Sequence, residues 1–340
     1  MRGTLNVGSV VAPSAAVARG YISVGELADG VTHVSVPIVI INGRNDGPIV
    51  YLHAGSHGQE TIYSVETLRR LADDLDPERL AGAIIAVPLA NLLAHQAATR
   101  VAPHYAAREG VPFAGDIHKL WPGDANGSLT QRIVHILWNA IVQQADCAID
   151  LHAVGEPGIP FTFMYRGGKR DALGTPAWDK TLAMAQAFGV TMVTTAPNPL
   201  TLAGACLDEG KPALMIEMTK SRMLDDATIA AALTGLRNVL VHLGIVEGTI
   251  EPQRGMRVVP GVHAAMPTIR ANRGGFIRFE VECGTFVTAG TVIARTRDLH
   301  GREVEAICMP ADGYVMTFPP QSWVGNQAVA TGDLVADIFS

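Results

Sequence analysis

Apolar positions along this chain follow two rhythms. Short β-branched runs at residues 34–41 and 49–52 are separated by the turn-forming stretch NGRNDGP, which predicts a hairpin or two neighbouring strands. From Thr61 the spacing becomes helical, with Val65, Leu68, Leu71, Ala72 and Leu75 recurring on one face and Pro77 as a stop. The same reading predicts strands at 83–87, 148–151 and 213–217, and helices at 133–142, 181–188 and 227–243. Strands alternating with helices predict an α/β layer fold. Beyond residue 251 the texture changes to short β-type segments punctuated by glycine. There VTAGTVIA at 287–294 resembles VATGDLVA at 329–336, so two similar halves predict a small pseudo-symmetric β domain.

Composition narrows the class. Of 340 residues, 48% are hydrophobic and 17% charged, enough for a substantial core and, at this length, for two domains. We place an N-terminal extension with edge strands at 1–29, an α/β domain at 30–250 and a β domain at 251–340. A net charge of −6 supplies no field to gather phosphates, which excludes general nucleic-acid binding. Cys147, Cys206, Cys283 and Cys308 are far apart with no CxxC pair, and they read as buried small hydrophobes in a reducing compartment. No segment reaches the roughly 20 uninterrupted apolar residues of a membrane helix. The first residues have a patchy apolar stretch like a secretory leader, but Pro13 and Ser14 interrupt it, so a cytoplasmic protein is expected.

Three strand ends carry candidate chemistry. In YLHAGSHGQE an apolar strand runs into a glycine-containing turn bearing His57 and Glu60, an imidazole and a carboxylate that can converge on one divalent ion. Alone, this spacing is equally that of an exposed turn pair. A second strand end, CAIDLHA, delivers His152, and in an open α/β sheet ligands gather at the carboxyl ends of strands. Asp150 in the same run is either structural or an orienting partner for a ligand. The third, PALMIEM, ends in Glu217; a carboxylate closing a buried strand is costly unless paired or functional, and a zinc site needs a base to activate water. His53 reads as a packed histidine. Tyr165 and Arg166 sit before a glycine pair, either reaching a substrate or lying on a surface loop.

With these motifs the sequence resembles the succinylglutamate desuccinylase/aspartoacylase family of zinc-carboxypeptidase-like hydrolases over nearly its whole length. The resemblance implies a mixed central sheet flanked by helices, followed by a C-terminal β barrel-sandwich domain. It implies that HGQE supplies His57 and Glu60, and DLH supplies His152, as ligands of one Zn²⁺ per chain, with Glu217 as the base. The segment NLLAHQAATR matches the family's asparagine-started stretch ending in an arginine, which makes Arg100 the group polarising the scissile carbonyl. WPGDANGSLTQR resembles the FPG stretch that follows the substrate-binding motif. Some relatives complete the pocket with a tyrosine hydroxyl, for which Tyr314 is the candidate here.

One departure stands out. Where the family has Asp-Leu-Asn-Arg, this chain reads Asp116-Ile117-His118-Lys119, leaving His118 and Lys119 as candidate substrate contacts. Arginine grips a carboxylate with a planar fork whereas lysine offers a mobile point charge, so the exchange bears on substrate choice. The terminal domain is similar to lipoyl/biotinyl folds, yet residues 221–340 contain no lysine, which excludes a swinging-arm carrier. The expected activity is hydrolysis of the amide of a small N-acyl amino acid or N-acyl amine. A zinc carboxypeptidase acting on short peptides and a non-catalytic metal- or ligand-binding relative are the alternatives. The expected partner is a small N-acylated molecule, with no nucleic acid, no membrane and a possible homo-oligomer.

Overall fold

Successive side chains of a strand point to opposite faces of its sheet, and in the central strands here one face is purely apolar while the other is mixed. The computed structural model describes residues 1–103, 113–154, 156–219, 223–318 and 327–340. Its first part comprises β1 (Leu5–Val7), β2 (Val10–Ala12), β3 (Ala16–Glu26), β4 (His33–Asn42), β5 (Asn45–Ala54), α1 (Thr61–Asp74), β6 (Ala81–Val87), α2 (Leu92–Gln96), α3 (Leu129–Leu137), β7 (Cys147–Ala153), β8 (Phe161–Tyr165), α4 (Pro176–Phe188), β9 (Thr191–Thr195), α5 (Leu202–Asp208), β10 (Ala213–Met218) and α6 (Asp226–His242). The rest is β: β11 (Val262–Ala264), β12 (Ile269–Arg270), β13 (Gly275–Phe279), β14 (Phe286–Val287), β15 (Val292–Arg297), β16 (Glu303–Cys308), β17 (Gly313–Thr317), β18 (Ala328–Val329) and β19 (Leu334–Phe339).

Nine strands form one mixed sheet in the order β11-β9-β8-β10-β7-β5-β6-β4-β3. Its centre, β10, β7, β5 and β6, is parallel and covered on both faces, so these strands read as nearly continuous apolar runs. Leu52, Ile149, Leu151, Leu214 and Ile216 pack with core residues of α1, α4 and α6. The opposite face, with Tyr51, Ala148 and Met215, is covered by α3, α5 and the β1–β2 ribbon. By alternation His53, Asp150, His152 and Glu217 all project to this second face.

Two expectations change. The runs at 34–41 and 49–52 are β4 and β5, but they are neither a hairpin nor neighbours, because β6 lies between them, antiparallel to β4 and parallel to β5. The α1 crossover returns the fully apolar 83–87 run to a central slot, and Gly43 N donates to Gly82 O (2.9 Å) while Asn45 N donates to Leu80 O (3.1 Å) across it. The helix expected at 133–142 starts earlier, at the Ser128–Gln131 capping box, and its last turn widens into a π turn at Trp138–Val142. Strands β8 and β9 and helix α5 escaped the pattern; β3, with two glycines and few buried residues, lies at the sheet edge within the 1–29 segment where edge strands were expected.

The terminal segment forms two four-stranded antiparallel sheets, β12-β19-β17-β14 and β16-β15-β13-β18, closing on a shared apolar core. The sequence repeat maps onto this arrangement. β14–β15 crosses from the first sheet to the second and β18–β19 crosses back, the two halves interlocking. β11 joins the large sheet beside β9, and Phe161 and Val193 pack into the terminal core. Ile159 N donates to Met316 O (3.1 Å) and Phe318 N to Pro157 O (2.9 Å), so the terminal sheets are fastened over the β8 end of the second face. Among the described residues, no helix is long and apolar enough to cross a membrane.

Candidate active site

After β5 the chain first fills the β6 side and only later the β7 side, so the crevice outside the carboxyl ends of β5 and β7 is a topological switch point. The turn leaving β5 enters this crevice. Gly55 adopts φ +72°, open to glycine at little cost, and at Gly58 a Cβ would stand 2.1 Å from the Ala94 carbonyl carbon, so the turn presses directly on the backbone of α2. Buried Asn91 caps α2, accepting from Ala94 N (3.1 Å), and its amide donates to Ser56 O (3.0 Å). Gly58 N donates to Arg100 O (3.3 Å). These bonds hold the NLLAHQAATR segment against the His57 turn and bring Arg100 to Glu60.

Glu60 sits where the elements meet, immediately before α1. Its Oε2 lies 3.0 Å from His57 Nδ1 and 3.1 Å from His152 Nδ1, and its Oε1 accepts from Arg100 Nη1 at 3.0 Å. The other ring nitrogen of each histidine faces a second carboxylate: His57 Nε2 is 3.0 Å from Asp116 Oδ1, and His152 Nε2 is 3.1 Å from Asp150 Oδ2 in an ionic contact without hydrogen-bond alignment. Tyr63 OH donates to the His152 carbonyl, fixing α1 to β7. Two trios of side chains converge closely enough to hold a metal ion, His57 with Glu60 and His152, and His118 with Asp150 and His152. They share His152 through opposite nitrogens.

The first trio suits zinc. Two imidazole nitrogens and one carboxylate oxygen are its usual donors, and bonds of about 2.0 Å in a tetrahedron separate ligand atoms by about 3.3 Å, near the spacings to Glu60 Oε2. A carboxylate behind each ligating histidine fixes the ring and raises its basicity. Buried His118 Nδ1 and Asp150 Oδ1 have no hydrogen-bond partner among the described residues, leaving the second trio polar and unsatisfied.

Burial and charge set the protonation states. Burial alone would raise Glu60, but His57, His152 and Arg100 outweigh it and hold the carboxyl well below its usual range. Asp150 is likewise held ionised against its burial, chiefly by His152 and His53. His152, which burial would neutralise, is kept protonated by Asp150 and Glu60. His118 and His53 are pushed down to about 4 by burial and are neutral. His53 engages Tyr51 OH (2.6 Å) and Ser56 Oγ (2.8 Å) through its two nitrogens, a packed role.

Glu217 behaves differently. It pairs in register with His152 across β10 and β7, yet its carboxyl has no hydrogen-bond or ion-pair partner among the described residues. Burial, aided by Glu60 and Asp150 and opposed by His152 and Arg100, pushes it up to about 8.

A cavity of about 400 Å³ opens over this cluster, within the range of small-molecule sites. His57, His152, Arg100, His118, Lys119 and Glu217 all line it, while Glu60 lies behind. Lys119 extends from the single 3-10 turn Ile117–Lys119 and, among the described residues, its ammonium contacts only the Phe113 ring, 5.7 Å from the centroid. His118 is buried and packs edge-on to His152, centroids 4.8 Å apart, as a neutral member of the histidine cluster rather than a cationic clamp. Tyr165 lines the cavity in a ladder with Phe163 and Phe161, whereas Arg166 turns away to Asp171 (3.0 Å). Tyr314 does not line it, because its ring stacks on Phe339 within the terminal sheet. The sequence reading missed Asp116, quoted only as the start of a motif, and Asp337, which interrupts the buried run LVADIF and lines the opposite wall.

A family model of the succinylglutamate desuccinylase/aspartoacylase catalytic domain matches residues 46–243. The N-alpha-acetyl-L-2,4-diaminobutyric acid deacetylase of Halomonas elongata is 27% identical over 269 residues, covering 78% of this chain and 75% of that protein. Among solved structures, a succinylglutamate desuccinylase/aspartoacylase from Rhodobacter sphaeroides superposes with a TM-score of 0.79 at 26% identity over 95% of each chain. The product-bound ectoine utilization protein EutE of Ruegeria pomeroyi gives 0.80 at 21% identity, over 100% of this chain and 96% of that one, a likeness of fold.

Proposed function

The chain belongs to the succinylglutamate desuccinylase/aspartoacylase family, and from that premise we propose that it is a zinc-dependent deacylase cleaving the amide of a small N-acyl amino acid. The observation that carries the reading is the pairing of a convergent His57–Glu60–His152 trio, whose two histidines line the cavity, with Glu217 on the same cavity one strand away and without a partner among the described residues. The deacetylase activity in the name of the Halomonas relative supports the reaction class.

In this reading His57, Glu60 and His152 hold the ion, and Asp116 and Asp150 orient the two histidines. Bound there, Zn²⁺ supplies Lewis acidity, lowering the pKa of water and polarising a carbonyl. Glu217, raised by burial and without a partner among the described residues, takes the proton of the attacking water and hands it to the departing amine. Arg100 keeps Glu60 in place with one guanidinium nitrogen and faces the cavity, where its charge stabilises the developing oxyanion. Lys119 offers a point charge to the substrate carboxylate, and neutral His118 shapes the wall beside it. A wall built by the terminal domain favours small substrates over peptides.

The test is amine release by the zinc-loaded protein from N-acetyl, N-formyl and N-succinyl amino acids, each with a free and an amidated carboxyl group, with Glu217→Gln as control. Release confined to the wild type and to free-carboxyl substrates is expected. Release that persists in Glu217→Gln contradicts the assigned base, and cleavage of short peptides in preference to every N-acyl amino acid transfers the assignment to a carboxypeptidase.

A further inference from the structure

The histidine cluster contains a second place for an ion, at the ring nitrogen of His152 opposite the one that faces Glu60. His118, Asp150 and His152 are 5%, 1% and 1% exposed, and their donor atoms converge closely enough to hold a metal. Asp150 Oδ2 lies 3.1 Å from His152 Nε2 and 3.7 Å from His118 Nδ1. These spacings bracket the separation of about 3.3 Å between donor atoms around a tetrahedral zinc. Neither nitrogen makes a hydrogen bond with that oxygen or with any other described residue. Close contact without hydrogen-bond alignment fits donors aimed at a shared position rather than at one another.

His118 Nδ1, His152 Nε2 and Asp150 Oδ1 are thus three buried polar atoms in one place without a partner among the described residues, a cost unless something satisfies them. His53 does not: its Nε2 stands 4.0 Å from Asp150 Oδ1 and is engaged with Ser56 Oγ at 2.8 Å. Two imidazole nitrogens and one carboxylate suit zinc or cobalt, whereas magnesium and calcium take oxygen donors. We propose that His118, Asp150 and His152 form a second divalent metal site, with His152 bridging two ions through its two ring nitrogens. This goes beyond the deacylase reading and does not depend on it, since His152 is the one residue shared with the catalytic trio. The imidazole of His118, standing where the family motif has an asparagine amide, supplies the additional donor. To bridge, His152 must give up the proton of its second nitrogen, so the second ion is the weaker one, held in excess metal and lost on desalting.

The experiment titrates the metal-stripped full chain with Co²⁺, reading bound metal by equilibrium dialysis and the visible cobalt spectrum, in wild type, His118→Asn and His57→Ala. Two ions per chain are expected in wild type, the second binding more weakly by about tenfold or more. His118→Asn is expected to keep the tight ion and lose the weak one. One ion at saturation in wild type, the result that a buried water in the same place would give, overturns the proposal, as does a second ion that His118→Asn retains undiminished. His57→Ala separates the two sites. It is expected to keep one ion, which adding His118→Asn removes, and an ion that survives both changes overturns the proposal. If His57→Ala leaves both ions, the catalytic trio is misassigned while the second site stands on the His118→Asn result. The wild type supplies a reading that needs no variant to fold: two cobalt ions sharing one imidazolate are magnetically coupled, whereas a second ion that leaves the magnetic signal of the first unaltered lies elsewhere and overturns the proposal.

Discussion

The two walls of the cavity are built on opposite principles. The wall from the central sheet is a network: each histidine of the candidate metal trio is held between Glu60 and a second carboxylate, and Arg100 pairs with Glu60 in turn. The wall from the terminal sheets is largely apolar, with one carboxylate, Asp337, that has no ion pair among the described residues. Glu217 belongs by position to the first wall and by character to the second, being half-buried and, among the described residues, unpartnered. Mutual pairing is the mark of groups that hold a site in shape, and in the proposed mechanism its absence at Glu217 suits a group kept for a proton.

The largest break in this contrast comes from the unpaired group at the reaction centre. Glu217→Gln is expected to lower turnover by about 10²–10⁴ while zinc content is unchanged, measured by amine release and metal analysis on the same preparation. Paired groups lose something else. Asp116→Asn and Asp150→Asn are each expected to weaken zinc binding by about 10–100-fold, read by competition with a chelating dye. Because Asp150 and Glu60 keep His152 protonated in the metal-free protein, zinc binding must expel that proton, so affinity rises by about tenfold per pH unit through neutrality.

The smallest effect concerns stability and has the opposite sign. Burial raises Asp337 from the ordinary 3.8 to about 6, so the group costs nothing below about pH 4 and progressively destabilises the fold as pH rises through 6. Asp337→Asn is expected to stabilise the protein at pH 7 by on the order of 1–2 kcal/mol and to leave it unchanged at pH 4, measured by urea unfolding. Replacing a paired carboxylate such as Asp150 is expected to destabilise it.

Much of the central-sheet wall was legible because its chemistry sits at the ends of apolar runs. CAIDLHA and PALMIEM each carry a polar residue where a buried strand stops, and the parallel register of β10 and β7 then puts His152 and Glu217 on one face. Sheet order was not legible in the same way: the short 42–45 connection resembled a hairpin, and only the α1 crossover and the fully buried 83–87 run explain why β6 intervenes. His118 and Lys119 are adjacent in sequence, but one is buried among histidines and the other faces the cavity, a divergence set by the single turn Ile117–Lys119. Asp337 announced itself in LVADIF as clearly as Glu217 did in ALMIEM. It was passed over because no neighbouring histidine marked it and because the terminal segment's part in the cavity depends on a long-range contact. Tyr314 fell to the same contact: in the folded chain its ring belongs to the terminal core.

The most direct test counts zinc per chain in the wild type, in Glu217→Gln and in a His57→Ala, His152→Ala double variant, after identical loading and desalting. One zinc in the first two and none in the third is expected. Undiminished zinc in the double variant, or its loss in Glu217→Gln, would contradict the division between groups that hold the site and groups that serve the substrate.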